Sequence, residues 1–139
     1  MASISVNTNR KEIEIIRDGE NVGVIYFSPS DVAIIARLEE AGERINAIEM
    51  QATAESTPEE IAAEMRRLDG IVREAVDYAF GYPVSNVVFG DSFTFSTADG
   101  VSTVEQFLDG AMGYISEALK EENGKAKARQ AKYTAKYKK

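Results

Sequence analysis

The residues best suited to chemistry stand near the end of the chain, where positions 125–139 hold seven Lys and Arg residues and no acidic residue. Basic side chains interleaved with aromatic ones can bind the phosphates and bases of a nucleic acid, or the carboxylates of an acidic protein. Tyr133 and Tyr137 stand four residues apart, so a helical segment would present both on one face. The candidate partner-binding residues are Lys125, Lys127, Arg129, Lys132, Tyr133, Lys136, Tyr137 and Lys138.

The rest of the chain has the opposite charge. The whole 139-residue chain has a formal net charge of −7, whereas residues 1–124 alone carry 9 basic and 23 acidic side chains, a net charge of −14. An acidic body repels phosphate, which argues against nucleic acid as the partner of the basic segment. An acidic protein, the acidic body of the same chain and nucleic acid remain open as partners, because composition does not separate them. Contact between the basic segment of one copy and the body of another would make the protein self-associate.

Catalytic chemistry has few candidates in this sequence. The absence of Cys and His excludes disulfide scaffolds, zinc fingers, thiol nucleophiles and imidazole bases. Adjacent glutamates, such as Glu39 with Glu40 and Glu59 with Glu60, fall where helix surfaces or helix starts favour acidic residues. A calcium loop around Gly100 fails, because the first ligand position of an EF-hand would fall on Phe95. No glycine-rich phosphate-binding motif occurs. We expect no enzymatic activity, no cofactor and no metal.

Length and composition indicate one globular domain. Hydrophobic residues make up 44% of the chain and charged residues 28%, which is a mixture typical of folded domains. We expect a single domain over residues 1–124 and a flexible basic tail over residues 125–139, because the tail has no apolar stripe to bury. No apolar run approaches the roughly 18–20 residues of a membrane span, and Met1–Val6 does not match a signal peptide. These features predict a cytoplasmic protein that does not enter a membrane.

Residues 2–27 show the period-two alternation of β-strands. Apolar and polar residues alternate around Ile4 and Val6, around Ile13 and Ile15, and again over residues 22–27. The dipeptide Asp18-Gly19 separates the second run from the third and is typical of a tight hairpin turn. The pattern predicts a small antiparallel β meander of three strands.

Three main helices are predicted after the meander. The first extends from Asp31 to about Gln51. The second begins with the Thr57-Pro58-Glu59-Glu60 capping sequence and ends at Gly81, and a short helical turn follows near Ser85. The third begins with the capping box at Ser102 and is expected to end at Asn123-Gly124. The fold class is therefore α+β. The wide apolar stripe of the second helix fits an ordinary core, or a surface shared with another protomer or a client helix.

The order of these parts resembles that of a known class of small phage proteins. The second helix ends in the sequence Asp77-Tyr78-Ala79-Phe80-Gly81, and Val88-Phe89-Gly90-Asp91 follows it. The last helix leads into the Lys/Tyr-rich segment Lys132–Tyr137. This arrangement resembles the tail assembly chaperones of siphophages and prophages of Gram-positive bacteria, over roughly residues 10–139.

The resemblance implies a non-enzymatic function in tail morphogenesis. Proteins of this class coat the long, helical and aggregation-prone tape measure protein, and pass it to the polymerising tail-tube protein. They act in the cytoplasm of the host bacterium and are absent from the mature virion. The alternative from another class is a DNA-associated regulatory or packaging accessory protein that acts through its basic tail.

Overall fold

A two-stranded antiparallel hairpin precedes the helices in the computed structural model, which describes residues 1–137. The α+β class predicted from the sequence is confirmed. In chain order, the elements are β1 (Lys11–Arg17), β2 (Glu20–Phe27), α1 (Ile34–Asn46), α2 (Pro58–Phe80), α3 (Ser85–Phe89), β3 (Thr97–Ala98), β4 (Val101–Ser102) and α4 (Thr103–Tyr137).

The hairpin forms around the turn that the sequence predicts. Asp18 and Gly19 both have positive φ, as a two-residue hairpin turn requires, and β1 pairs with β2 so that Ile13 lies opposite Ile25. Ile25 and Phe27 are buried, whereas Val24 and Tyr26, which alternate with them along β2, are more exposed. The hairpin therefore contributes one of its faces to the core.

The first predicted strand is absent, so the meander of three strands is reduced to a hairpin. Residues 1–10 have no regular secondary structure. The side chain of Asn7 accepts a hydrogen bond from the backbone amide of Asn9, and Asn9 itself has positive φ, which ends an extended conformation. Ile4 and Val6 are 91% and 82% exposed, so the apolar side chains of this alternating segment do not pack against the rest of the protein.

The helix limits follow the local capping signals. The Thr57 side chain accepts a hydrogen bond from the amide of Glu60, and Gly81 ends α2 in the left-handed conformation, both as predicted. The first helix is shorter than predicted, because it begins at Ile34 and not at Asp31. The Asp31 carboxylate accepts a hydrogen bond from the amide of Ala33 and binds the guanidinium of Arg37, which keeps Asp31 outside the first helical turn.

One hydrophobic core joins the hairpin to the helices. Its fully buried side chains include Ile25, Ile34, Val72, Phe89 and Ile115. The apolar stripe of α2 supplies five residues to this core, Val72, Ala75, Val76, Ala79 and Phe80, and Leu68 is also buried. The interpretation of the stripe as ordinary core is confirmed for these side chains.

Helix α4 extends beyond the body of the protein. It begins as predicted, with the Ser102 hydroxyl accepting the amide of Glu105, but it continues through Asn123-Gly124 to Tyr137. The predicted end at Asn123-Gly124 is therefore wrong: one Gly costs only about 1 kcal/mol of helix stability, and the Ala- and Lys-rich sequence beyond it favours helix. Among the described residues, no helix combines the length and apolar character needed to cross a lipid bilayer.

Candidate partner-binding surfaces

The basic residues of the tail form a stripe along the last turns of α4. Lys125, Arg129 and Lys132 follow one another at spacings of four and three residues, which places them within about 60° around the helix axis. Backbone position 136 continues the same spacing. All side chains from Lys125 to Ala135 are exposed. We call Lys125, Arg129 and Lys132 the basic stripe.

The other predicted site residues do not all join this stripe. Tyr133 is 65% exposed and lies beside the stripe, and backbone position 137 follows Tyr133 by one turn, as the sequence predicts. Lys127 lies on the opposite side of the helix, near the line that Lys120 occupies one heptad earlier. Lys138 lies outside the described residues.

A second surface, which the sequence did not predict, is a groove of about 780 Å³ between β1 and α4. One wall is formed by residues 13–17 of β1 and by Asp18 of the hairpin turn, and the other by α4 residues that include Gln106, Phe107 and Tyr114. Ile16 and Tyr114 in these walls are 56% and 49% exposed. We call this surface the β1–α4 groove. Its walls suit a ligand with apolar side chains and a free peptide backbone.

The floor of the groove is held by α3 and the loop that follows it. Val88 and Ser92 line the groove, and the guanidinium of Arg17 donates a hydrogen bond of 3.1 Å to the carbonyl oxygen of Val88. Phe107 contacts Phe89 edge-to-face, with ring centroids 6.0 Å apart. The shape of the groove therefore depends on the position of α3.

The Asp77-Tyr78-Ala79-Phe80-Gly81 sequence places α3. The Asp77 carboxylate accepts hydrogen bonds from the amides of Val84 (2.8 Å) and Ser85 (2.7 Å) and from the Ser85 hydroxyl (3.0 Å). These amides are donors that the start of a helix leaves without intrahelical partners. Asp77 on α2 therefore caps α3 across the turn at Gly81.

The Val88-Phe89-Gly90-Asp91 sequence is held by Arg73. Its guanidinium donates to the carbonyl oxygens of Gly90 and Ser92, each at 2.8 Å, and binds the Asp69 carboxylate at 2.8 Å. Asp69 in turn accepts the amide of Thr94 at 2.9 Å. Partial burial acts to raise the pKa of Asp69, but the hydrogen bonds from Thr94 and Arg73 outweigh burial and lower it overall.

A second charged cluster ties the segment before α2 to the body. The Glu64 carboxylate, which is almost completely buried, binds Arg67 at 2.5 Å and accepts the amide of Gln51. The hydrogen bond from Arg67 is the main cause of the lowered pKa of Glu64. Because its charge is matched inside the protein, this cluster is structural.

The charged clusters differ from the two surfaces in what they contact. Within residues 1–137, no three His, Cys, Asp or Glu side chains converge in a way that could hold a metal ion. The charged clusters around Asp69, Asp77 and Glu64 hold backbone groups of the protein itself. The groove and the basic stripe, in contrast, face outward along the same helix.

Comparison of the chain with protein-family models, with curated proteins and with solved structures found no match.

Proposed function

We propose that this protein is a non-enzymatic phage tail assembly chaperone, which binds the tape measure protein and helps to recruit tail-tube subunits during tail morphogenesis. The observation that carries the proposal is the basic stripe, displayed on a helix that projects from an acidic body. A long helical client that exposes both acidic and apolar residues matches this combination. The order of the strands, helices and short motifs along the sequence resembles that of phage tail assembly chaperones, which is the reason for proposing a function in phage tail assembly.

Each surface has its own task in this proposal. The basic stripe attracts acidic side chains of the client, and the acidic body repels other acidic surfaces, so that binding is directed to the projecting helix. The apolar walls of the β1–α4 groove bury hydrophobic side chains that would otherwise make the client aggregate. The chaperone acts in the bacterial cytoplasm and leaves before the virion is complete.

The test measures binding of purified protein to a soluble fragment of a tape measure protein. The variant Arg129→Gln/Lys132→Gln removes two charges from the stripe. Lys120→Gln/Lys127→Gln removes the same charge from the opposite side of α4 and is the matched control. Exposed ion pairs contribute about 0.2–1 kcal/mol each, so the stripe variant should bind about 2- to 30-fold more weakly and the control should bind as wild type. Equal effects of the two variants would refute a role for the stripe.

The same stripe supports one alternative, a DNA-associated accessory protein. Three basic side chains on one helix face can contact successive phosphates, and log K would then fall with log salt with a slope of about −0.9 per contact on duplex DNA. We expect negligible duplex affinity at about 0.15 M salt, because the body carries a net charge of −14. Tight, salt-sensitive DNA binding without any effect on a co-expressed tape measure protein would favour the alternative.

A further inference from the structure

The outer edge of β1 lacks a strand partner. In the described part of the chain, the sheet has two strands, so β1 pairs with β2 on one side only. Glu12 is paired with Tyr26 across the hairpin. The backbone amide of Tyr26 points away from β1 and donates a hydrogen bond of 2.8 Å to the Tyr82 hydroxyl. Because the pairs of an antiparallel ladder alternate, the backbone groups of Glu12, Glu14 and Ile16 face the open edge. This edge borders the β1–α4 groove.

Residues 2–7 have the pattern of the missing strand. Ile4 and Val6 lie on one side of an extended segment, with Ser3, Ser5 and Asn7 on the other, and both apolar side chains are exposed. We call residues 2–7 the N-terminal arm. An extended segment with one apolar face can form backbone hydrogen bonds with an open edge and insert alternate side chains into a groove.

Charge does not oppose a contact between the arm and the groove. Residues 2–7 carry no charged side chain, and the groove lining contains Arg17 as well as Glu14 and Asp18. The contact would therefore rest on backbone hydrogen bonds and apolar burial rather than on charge.

The arm of the same chain points elsewhere. The Thr8 hydroxyl is hydrogen-bonded to that of Ser28, beyond the end of β2, and Arg10 stacks on the ring of Tyr26 with 4.2 Å from the guanidinium carbon to the ring centroid. The base of the arm is thus held on the β2 side of the hairpin, opposite the open edge of β1. A second copy does not have this constraint.

We infer that the protein self-assembles by strand exchange, in which the N-terminal arm of one copy adds to the open edge of β1 and fills the β1–α4 groove of a second copy. Ile4 and Val6 enter the groove between β1 and α4. Reciprocal exchange gives a closed dimer, and one-way exchange gives an open chain of copies. This contact differs from one between basic tail and acidic body, because apolar burial persists when salt screens charge.

The first test compares oligomeric state by sedimentation velocity of the full chain in 0.15 M and 0.5 M salt. Ile4→Asp/Val6→Asp should make the protein monomeric, whereas Ser3→Asp/Ser5→Asp, with the same added charge on the other side of the arm, should still associate. Folding is not at risk, because both apolar side chains are exposed in the single chain. A wild-type protein that is monomeric at every concentration would overturn the inference. So would association that the first variant leaves unchanged, or that disappears in 0.5 M salt.

The second test locates the contact with disulfides, which are unambiguous because the chain contains no Cys. A Val6→Cys chain mixed with a Gln106→Cys chain should form a cross-linked pair under mild oxidation. A Val32→Cys chain, exposed but outside the groove, should not cross-link with the Val6→Cys chain. If the double variant Val6→Cys/Gln106→Cys closes within one monomeric chain, the arm occupies its own groove and exchange is wrong.

Discussion

Asp77 gives the sharpest test of how the motif sequences build the protein. Its carboxylate is the acceptor for the amides of Val84 and Ser85, and these amides start α3. Asp77→Ala leaves both amides partly buried without that acceptor. Each unsatisfied donor costs about 1–3 kcal/mol, and loss of a helix cap by itself costs about 0.5–2 kcal/mol. Since water can reach part of the site, we expect the lower part of the combined range, about 2–4 kcal/mol.

The assay is urea and thermal unfolding followed by circular dichroism. For a domain of this length, about 2–4 kcal/mol corresponds to a fall in Tm of about 6–15 °C. Asp77→Asn keeps one side-chain carbonyl oxygen for the two amides, and its amide nitrogen can donate to the Ser85 hydroxyl. We therefore expect less than half of the loss seen with alanine. Asp91→Ala, in the exposed loop after α3, is the matched control and should change stability by less than about 0.5 kcal/mol.

The order of the three variants decides the outcome. If Asp77→Ala is no worse than Asp91→Ala, the capping contact contributes nothing and α3 is held by apolar packing alone. If Asp77→Asn is as destabilising as Asp77→Ala, the charge of the carboxylate matters and its two amide contacts do not. Either result would refute the account given for the Asp77–Gly81 sequence.

Three further predictions concern acid stability, a glycine and the tail. Asp69 and Glu64 have lowered pKa values in the folded protein, so their contribution to stability is present above their ordinary values of 3.8 and 4.5 and is lost as the pH falls through the folded values. Urea unfolding at pH 6 and pH 3 should show a smaller difference for Asp69→Asn than for wild type; an equal difference would contradict this. Gly90→Ala should cost about 1–3 kcal/mol in unfolding experiments, and more than Gly81→Ala, because φ 57° with ψ −134° suits almost only glycine whereas Gly81 is in the ordinary left-handed region. In a monomer, relaxation of backbone amides over 125–137 should show a fraying helix, since helices shorter than about 12–15 residues are marginal in water without packing; uniformly rigid amides there would refute it.

Sequence reasoning succeeded where the signal is local. Asp18-Gly19 specifies its turn by the φ values it permits, and Thr57 with Gly81 marks both ends of α2 by hydrogen bonds within a few residues. The core residues of α2 follow from the spacing of its apolar side chains. None of these features depends on what lies elsewhere in the chain.

One local signal failed, because Asn123-Gly124 does not end α4, whereas the other errors arose where the outcome depends on a distant partner. Ile4 and Val6 have a strand pattern, but a strand needs an edge to pair with, and the chain turns away at Asn9. The β1–α4 groove is formed by elements almost ninety residues apart, so no local pattern reveals it. Ile16, which follows Ile15 and breaks the alternation of β1, was the one available sign of a second apolar surface.

The length of α4 connects the two surfaces that the proposals use. Phe107, Tyr114 and Ile115 belong to its first half and lie against the body or the groove, whereas the basic stripe lies in its second half. Around the helix axis, Lys125 and Lys132 continue the line of groove residues that passes through Phe107 and Tyr114. A partner that follows this line meets apolar side chains first and then positive charge, without leaving one helix face. The arm of another copy and the apolar side chains of the client therefore compete for the β1–α4 groove, and while the arm fills the groove only the basic stripe is open to the client.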